Sequence, residues 1–414
     1  MRETKRVVVT GLGVISSVGN NKKDFWKAIT RGESGIGPLT SFDCSLFKTQ
    51  IAGEVKGFDP LQYINPKEVK HTEKFVQYAI ACSKMAFQES GLDMSKENPD
   101  RCGVIIGCGV GSLRIMEEQY DVFKKKGPKK FYPFMIPMLI VNMASGQVSI
   151  ELGFKGPNLC TTTACASGNH AIGDAFRILE RGDADIIAAG GTESCITALG
   201  MGGFCALRAL STRNNEPKRA SRPFDKERDG FVVAEGCGIL ILEEMEHAKK
   251  RGATIYSEIV GFGMNGDAYH ITAPDPSGEG ARKCMKLAIE DARLNPEEID
   301  YINAHGTSTS LNDKIETLAI KNLFKSHAKK LMISSTKSMT GHALGAAGGM
   351  EAIVCCLTIK EGIVTPTINY EFPDPECGLD YVPNKSRKVD VEVALSNSFG
   401  FGGHNAAVVF KKFK

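Results

Sequence analysis

Hydrophobic and polar positions follow two alternating patterns along the chain. Short apolar runs that end in glycine, such as RVVVTGLG, CGVIIGCGVG and DIIAAGG, have the composition of buried strands. Between them lie amphipathic segments, in one of which Ala171, Ile172, Ala175, Phe176 and Leu179 fall at helical spacing. Buried strands that alternate with amphipathic helices are typical of βαβ units. The pattern therefore predicts an α/β protein with a parallel or mixed sheet.

The second half of the chain repeats the order of the first. IYSEIVGFGMNGD is similar to KRVVVTGLGVISS, GARKCMKLAIEDARLN to FVQYAIACSKMAFQES, and IDYINAHGT to CGVIIGCGV. TACASGNHAIGDA also aligns with TKSMTGHALGAAG, which places Cys165 and His342 near the starts of corresponding helices. We therefore predict two halves related by a pseudo-twofold, an N-terminal half at 1–254 and a C-terminal half at 255–414, packed as one body.

Composition and charge narrow the class of protein. The 414 residues include 51 basic and 48 acidic side chains, a balance that does not suggest general nucleic-acid binding. No apolar stretch approaches the roughly 18 residues of a membrane span, and a strand pattern begins almost at Met1 in place of a signal peptide. The 13 cysteines show no paired CxxC spacing, so we predict neither a zinc site nor a disulfide framework. We expect a cytoplasmic protein without nucleic-acid or membrane partners.

Three candidate catalytic residues lie at junctions between predicted elements, where catalytic groups of α/β folds usually occur. Cys165 precedes a helical pattern, whose unpaired N–H groups and dipole favour a thiolate. His305 follows the strand IDYINA, and His342 follows Lys337 in STKSMTGHALGAAG. His170, inside the helical pattern after the cysteine, is predicted to be a packed histidine instead. A thiol can carry an acyl group and two imidazoles can stabilise an enolate oxygen, so these residue types suit carbanion chemistry on thioesters.

Five segments in this order resemble the elongating β-ketoacyl-acyl-carrier-protein synthases: TACASG, PFDKERDGFVVAEG, NAHGTSTSLNDKIE, STKSMTGHALGAAG and SNSFGFGGHN. The resemblance covers nearly the whole chain. It implies a thiolase-like fold, a duplicated αβαβα layered architecture, in a protein that is usually a homodimer. It also implies decarboxylative condensation of an acyl chain with malonyl carrier protein, which releases carbon dioxide. The substrates carry phosphopantetheine on acyl carrier protein, and no separate cofactor or metal is expected.

The same resemblance assigns roles to individual residues. It implies that Cys165 accepts the acyl chain, that His305 and His342 support decarboxylation and condensation, and that Lys337 and Glu351 order the polar network around them. It assigns an oxyanion hole to the N–H groups of Cys165 and Phe401, and a gate to Phe401 with its neighbour Phe399. The residues expected to contact substrate are Thr307, Thr309, Thr272, Val110 and Glu351. Those expected to dock the carrier protein are Lys67, Lys70 and Arg208, with Lys129 and Lys130 as weaker candidates.

Several alternatives remain open at this stage. Val110 favours the type II elongating synthases, because the type I pattern has glycine there, and His342 argues against initiating synthases, which have asparagine. A type I isoform or a discrete polyketide ketosynthase is the near alternative. A catalytically silent carrier-binding partner, which would lack Cys165, and a thiol hydrolase with a Cys–His pair are the more distant ones. His404 departs from the usual GFGGTN pattern and alters the hydrogen bonding expected beside the gate.

Overall fold

The computed structural model describes residues 4–414, and within this range ten strands form one mixed central sheet. The strands of the protein are β1 Val7–Ile15, β2 Gly37–Pro38, β3 Ile51–Ala52, β4 Cys102–Gly107, β5 Asn158–Leu159, β6 Ile186–Glu193, β7 Gly236–Glu244, β8 Ser257–Gly266, β9 Tyr301–Asn303, β10 Met332–Ser334, β11 Ile363–Val364, β12 Arg387–Lys388, β13 Val393–Gly400 and β14 His404–Lys411. The α-helices are α1 Lys22–Thr30, α2 Pro66–Val69, α3 Lys74–Ser90, α4 Leu113–Lys126, α5 Met135–Leu139, α6 Met143–Leu152, α7 Ser167–Glu180, α8 Ala198–Ala206, α9 Met245–Lys250, α10 Glu279–Asp291, α11 Ser310–Phe324, α12 Lys337–Thr340 and α13 Ala347–Glu361.

The order of strands in the sheet shows the duplication directly. From one edge to the other it is β10-β9-β13-β14-β8-β1-β7-β6-β4-β5. β1 and β8 pair antiparallel at the centre, with Val7 opposite Ile259. Outward from this pair, β7 and β14, β6 and β13, β4 and β9, and β5 and β10 occupy matching places. The predicted α/β class and the two related halves are confirmed, whereas the boundary at 254 stays a prediction.

Helices separate the protein into layers. α7 and α13 form a central layer that packs against strands of both halves, including β6 and β13, and contributes to the largest hydrophobic core. α3 and α6 cover the outer face of the N-terminal half, and α10 and α11 cover that of the C-terminal half. Because the strands of the N-terminal half and those of the C-terminal half each form one β layer beside the central helices, this arrangement is the αβαβα sandwich that the family resemblance implies. It brings the starts of the two central helices together in the middle of the molecule.

The two central helices touch backbone to backbone. A Cβ atom added to Gly168 of α7 would lie 2.7 Å from the backbone nitrogen of Gly349, and one added to Gly348 of α13 would lie 2.6 Å from that of Asn169. Real Cβ atoms essentially never approach backbone so closely, so only glycine permits this packing. The small residues that the sequence places after each catalytic junction are thus explained by close helix–helix contact.

Each central helix begins with a strained turn. Ala164 has a φ of 51° and Leu344 a φ of 46°, and each starts a 3-10 turn, Ala164–Ala166 or Leu344–Ala346, that leads into its helix. A non-glycine residue in this left-handed region costs of order 1 kcal/mol or more. Because the two turns correspond, Cys165 matches Gly345, and His342 lies earlier than the sequence alignment of the two halves suggests.

Two further findings concern the helices and the cysteines of the protein. Among the helices of residues 4–414, none combines the length and the apolar character needed to cross a bilayer. All 13 cysteines lie in this range and have free thiols. The free thiols agree with the sequence expectation that no disulfide framework is present.

Candidate active site

Cys165, His305 and His342 converge at one point between the two halves. One atom from each, the cysteine Sγ and a ring nitrogen of each histidine, lies within 4.8 Å of the other two. The imidazole rings are 5.3 Å apart between centroids and nearly perpendicular, at 84°. All three residues are buried. A reacting carbon between them would contact a nucleophile and two hydrogen-bonding groups at once.

Backbone hydrogen bonds fix the positions of both histidines. His305 follows β9, and its N–H and that of Gly306 donate to the two carboxylate oxygens of Glu316 at 2.9 and 2.8 Å. His342 follows α12, and its N–H donates to the carbonyl of Val232 at 2.8 Å. The N–H of Ala234 in turn donates to the carbonyl of His342 at 2.9 Å. The rings therefore extend from anchored backbone and are preorganised for catalysis.

Burial keeps both imidazoles neutral. It lowers the pKa of His305 and of His342 well below the usual histidine value, and the positive charge of Lys337 lowers both further. Within residues 4–414, Nδ1 of each ring has no hydrogen-bond partner. A neutral imidazole carries one N–H donor and one acceptor nitrogen. Each neutral ring can therefore donate one N–H hydrogen bond to a thioester oxygen, and neither ring carries a positive charge.

Burial also dominates the electrostatics of Cys165. It raises the pKa of the thiol to about 12, against the opposing effects of the Lys337 charge and of the backbone N–H groups of Phe401 and Cys165 itself. The sequence predicts that the helix start favours a thiolate, but burial has the larger effect. The free-energy cost of removing the anion from water exceeds the stabilisation that the nearby N–H donors provide. Burial therefore favours the thiol form of the resting sulfur. Both N–H groups that oppose burial are those that the resemblance assigns to the oxyanion hole.

Lys337 and Glu351 form a buried ion pair behind the histidines. The ammonium of Lys337 donates to Oε1 of Glu351, and neither residue lines the pocket. Burial raises the pKa of Glu351 to about 7, while the charge of Lys337 opposes the rise. The charge of Lys337 also acts on Cys165 and on both histidines. The substrate contact predicted for Glu351 and the catalytic role predicted for Lys337 stay predictions.

A pocket of about 470 Å³ leads from the surface to Cys165. Thr307 and Thr309 lie on its wall with their hydroxyl oxygens 2.9 Å apart. The other predicted site residues on the wall are His305, His342, Val110, Arg208, Thr272, Phe399 and Phe401. Lys67 and Lys70 are exposed at α2 and do not line the pocket, so their docking role stays a prediction.

The predicted gate lies on the turn between β13 and β14. The ring of Phe399 is 5.7 Å from that of His305. A Cβ at Gly400 would lie 2.6 Å from the carbonyl oxygen of Thr163, so this glycine allows the turn to touch the cysteine segment. The N–H of Gly402 donates to the carbonyl of Ile271 at 2.8 Å. The unusual His404 is exposed, and its ring lies about 3.0 Å from the place of a Gly402 Cβ.

Glu193 is a site residue that sequence reasoning missed. It is fully buried at the end of β6 and accepts hydrogen bonds from the N–H groups of Gly109 at 2.8 Å and Gly345 at 3.2 Å. It also accepts from the N–H of Val110 at 3.3 Å. The carboxylate therefore joins the wall at Val110 to the turn after His342. The only sequence signal was one acidic residue at the end of an apolar run, DIIAAGGTES.

His170 is packed, as its position in the helical pattern predicts. It lies in α7, and its Nδ1 is 2.8 Å from the hydroxyl of Thr163. Its ring packs edge-on against Phe262, with 6.1 Å between centroids. Burial lowers the pKa of His170 to about 4. Its hydrogen bond and ring contact account for it without a catalytic role.

The duplicated fold and the enclosed thiol define a thiolase-like enzyme class, and comparison with known proteins gives the family. The family model "Beta-ketoacyl synthase, N-terminal domain" matches residues 4–248, and "Beta-ketoacyl synthase, C-terminal domain" matches residues 256–371. The chain belongs to the β-ketoacyl synthase family.

Individual relatives match along their whole length. A 3-oxoacyl-[acyl-carrier-protein] synthase 2 of Synechocystis sp. is 54% identical over 412 residues, which cover 100% of this chain and 99% of that protein. A protein of the same name from Coxiella burnetii is 53% identical over 410 residues, 99% of each chain. The chain is also similar to a solved ketosynthase of a type II polyketide synthase, in complex with its acyl-carrier protein and bound to the hexaketide, with a TM-score of 0.93, 37% identity and coverage of 99% and 100%.

Proposed function

We propose that this chain elongates fatty acyl chains by decarboxylative Claisen condensation. The acyl donor is an acyl thioester of acyl carrier protein, and the second substrate is malonyl carrier protein. The products are 3-oxoacyl carrier protein, carbon dioxide and a free carrier thiol. One observation carries the proposal: the Cys165 sulfur and a ring nitrogen of His305 and of His342 lie within 4.8 Å of one another beside the pocket. The full-length relatives named 3-oxoacyl-[acyl-carrier-protein] synthase 2 support the same reaction.

In the first half-reaction, the sulfur of Cys165 attacks the acyl thioester carbonyl. Because the resting thiol has a pKa of about 12, its proton must leave as the carbon–sulfur bond forms. The N–H groups of Cys165 and Phe401 stabilise the negative oxygen that develops. The carrier thiolate is expelled and takes up the proton, which leaves the acyl group on Cys165.

In the second half-reaction, malonyl carrier protein loses carbon dioxide. The electron pair of the broken carbon–carbon bond forms an enolate, and the neutral rings of His305 and His342 donate hydrogen bonds to its oxygen. The enolate carbon attacks the acyl carbonyl on Cys165 and displaces the sulfur. The cysteine thiolate then takes up a proton, so one proton is consumed in the complete reaction.

We further propose that acyl carrier protein is the macromolecular substrate and that the protein is a cytoplasmic homodimer without nucleic-acid or membrane partners. The carrier complex of the similar ketosynthase supports the first point. Exposed apolar side chains support a second copy, because a large apolar surface on a soluble domain usually marks an interface. They lie on α4 to α6 and on the edge strand β5: Met116, Tyr120, Phe123, Ile136, Ile150 and Leu159.

We propose that catalysis uses no metal or bound cofactor. A thiol and two imidazoles are also a donor set that zinc accepts. Condensation as written needs no Lewis acid, since the two histidines supply the hydrogen bonds at the enolate oxygen. The phosphopantetheine arm enters with each substrate and leaves with each product.

A discrete polyketide ketosynthase is the second candidate. It is favoured by the solved polyketide ketosynthase at 37% identity, whereas the synthases named for fatty acyl elongation are 53 and 54% identical. A silent partner is disfavoured by Cys165 at the inner wall of the pocket. A thiol hydrolase would use the same cysteine but would release a free acid.

Product analysis separates these possibilities. The purified protein is incubated with malonyl carrier protein and saturated acyl carriers of graded length, and the products are identified by mass spectrometry. We expect 3-oxoacyl carriers two carbons longer than the acyl donor, and none from the Cys165→Ala variant, because no acyl-enzyme can form. Free acid without a new carbon–carbon bond, or normal elongation by Cys165→Ala, would reject the proposal.

A further inference from the structure

Thr307 and Thr309 lie on a loop whose conformation needs support from other segments. Ser308 between them has a φ of 69°, in the left-handed region that costs a non-glycine residue of order 1 kcal/mol or more. Thr309 is the N-cap residue of α11, yet its side chain makes no cap hydrogen bond. Its hydroxyl lies instead beside that of Thr307 on the pocket wall. Both hydroxyls therefore depend on whatever holds this loop in place.

The N–H groups of Arg222 and Gly230 donate to the hydroxyl and the carbonyl of Ser308 at 2.9 and 3.1 Å. The guanidinium of Arg228 supports the residues that follow. The Arg228 side chain is only 5% exposed. Nε donates to the carbonyl of Thr309 at 3.0 Å, and Nη2 donates to the carbonyl of Ser310 at 3.1 Å. Nη1 donates to the carbonyl of Asp225 at 2.7 Å and to the carboxylate of Asp374 at 2.6 Å. One side chain thus joins the threonine loop to two other segments of the chain.

Only arginine can make this set of contacts. Its planar fork directs several N–H groups in different directions at once, whereas lysine offers one compact ammonium. A lysine at position 228 would keep the positive charge near Asp374 and Asp313 but would lose the separate bonds to the loop. The half-buried carbonyl of Thr309 would then lose its shorter hydrogen bond and keep the 3.5 Å one from the N–H of Asp313, while the exposed carbonyl of Ser310 would turn to water. The loop would therefore be held less firmly in the conformation that presents the two threonine hydroxyls.

We propose that Arg228 is a positioning residue for the phosphopantetheine arm of both carrier substrates. It holds the backbone of Thr309, and through it the hydroxyl pair that receives the arm. The inference rests on the proposed function, in which both substrates are pantetheine thioesters. It differs from the predicted docking role of Arg208, which is exposed at the pocket and would contact the carrier protein itself.

The test uses a ligand without carrier protein, so that docking residues cannot contribute. An unreactive amide analogue of acyl-pantetheine is titrated into the protein, and its Kd is measured by isothermal titration calorimetry. We expect Arg228→Met and Arg228→Lys each to raise this Kd about tenfold or more.

Arg219→Met is the matched control. Like Arg228, Arg219 lies in the segment between α8 and β7. Its guanidinium donates hydrogen bonds to Glu216 and Glu371, but not to the threonine loop. Its Kd should equal that of the wild-type protein. Circular dichroism and thermal unfolding establish that each variant is folded. If Arg228→Met does not fold, Arg228→Lys alone decides the outcome.

A double-mutant cycle separates positioning from direct contact, because Arg228 also lines the pocket. Thr309→Val removes the hydroxyl that Arg228 is proposed to position. In that background, Arg228→Lys should raise the Kd less than about twofold, since coupled residues are not additive. A full effect in the Thr309→Val background, or a wild-type Kd in folded Arg228→Lys, would overturn the inference.

Failure of the proposed function gives a different result. In that case the wild-type protein makes no 3-oxoacyl product from carriers, while calorimetry still reports whether the pantetheine amide binds. Binding that Arg228→Lys weakens would uphold the role of Arg228 even then. A wild-type protein that does not bind the amide at all would overturn it.

Discussion

At the scale of single residues, burial decides the chemical state of the site. It raises the pKa of Cys165 to about 12 and lowers the pKa of His305 and of His342 well below the usual value. Lys337, a buried cation near them, is paired with Glu351. The reacting groups are therefore a thiol and two neutral imidazoles. Such groups attack and donate without first having to lose a hydration shell.

The neutral histidines lead to a prediction on pH dependence. Because their pKa values are far below the usual value of about 6.5, neither ring gains a proton as the pH falls from about 8 to 6. Because the Glu351 carboxyl, with its pKa of about 7, titrates in the same range, kcat cannot report on the rings alone. We expect the ring resonances of His305 and His342, followed by NMR of the histidine-labelled protein, to show no titration between about pH 8 and about pH 6. Titration of either ring near about pH 6.5 would contradict neutral rings.

The same shifts set the pH range in which this measurement is valid. The unfolded chain binds more protons than the folded protein below about pH 6.5, because the folded histidines resist protonation. The contribution of these two histidines to the free energy of unfolding is therefore fully present above about pH 6.5. It decreases as the pH falls below that value. Circular dichroism at each pH confirms that the protein is folded.

The sequence predicted the reacting residues better than the residues that support them. Cys165, His305 and His342 follow apolar or polar runs at element junctions, and that position is visible in a linear pattern. Glu193 and Arg228 act through bonds to segments far away in the chain, Gly345 and Thr309. Only the folded chain brings these partners together. The signal for Glu193 was a charged residue at the end of an apolar run, whereas Arg228 lies in PFDKERDGFVVAEG, a segment that carries the family resemblance but gives no role to this residue.

At the scale of elements, the two central helices determine where the site lies. α7 starts directly after Cys165, and α13 starts shortly after His342. Their backbones touch at Gly168 and Gly349, which brings the two strained turns together. The small residues of both motifs were visible in the sequence. The correspondence of Cys165 with Gly345 was not, because it depends on the backbone conformation at Ala164 and Leu344.

This contact predicts a steric cost for one methyl group. In Gly168→Ala the added Cβ would lie 2.7 Å from the backbone nitrogen of Gly349, so the helices must separate. We expect the free energy of unfolding to fall by about 1–3 kcal/mol, as for other overpacked cores. Chemical denaturation monitored by circular dichroism measures the change.

Gly203→Ala is the control for helix propensity. Gly203 lies in α8, and a Cβ there meets no atom within 4 Å. Alanine should leave the free energy of unfolding unchanged or raise it by about 0.5–1 kcal/mol, because glycine is the poorer helix former. Wild-type stability in Gly168→Ala would show that the two helices are not held in backbone contact.

At the scale of the whole molecule, duplication builds one site from two halves. β1 and β8 pair at the centre of the sheet, and each half supplies one of the two central helices. The nucleophile of the N-terminal half therefore lies beside the two histidines of the C-terminal half. The repeated order of apolar runs predicted this architecture. It did not predict the ten-stranded order or the pocket, since strand pairing depends on contacts between distant segments.

The most direct test of the account follows one acyl group through the protein. The enzyme is loaded from an isotopically labelled acyl carrier and freed of excess carrier, and peptide mass mapping locates the label. Malonyl carrier protein is then added. The account predicts label on Cys165 alone, followed by its transfer into a 3-oxoacyl carrier two carbons longer as one carbon dioxide is released per label. Label on another residue, or its release from Cys165 as free acid, would contradict the convergence of thiol and imidazoles on one reacting carbon.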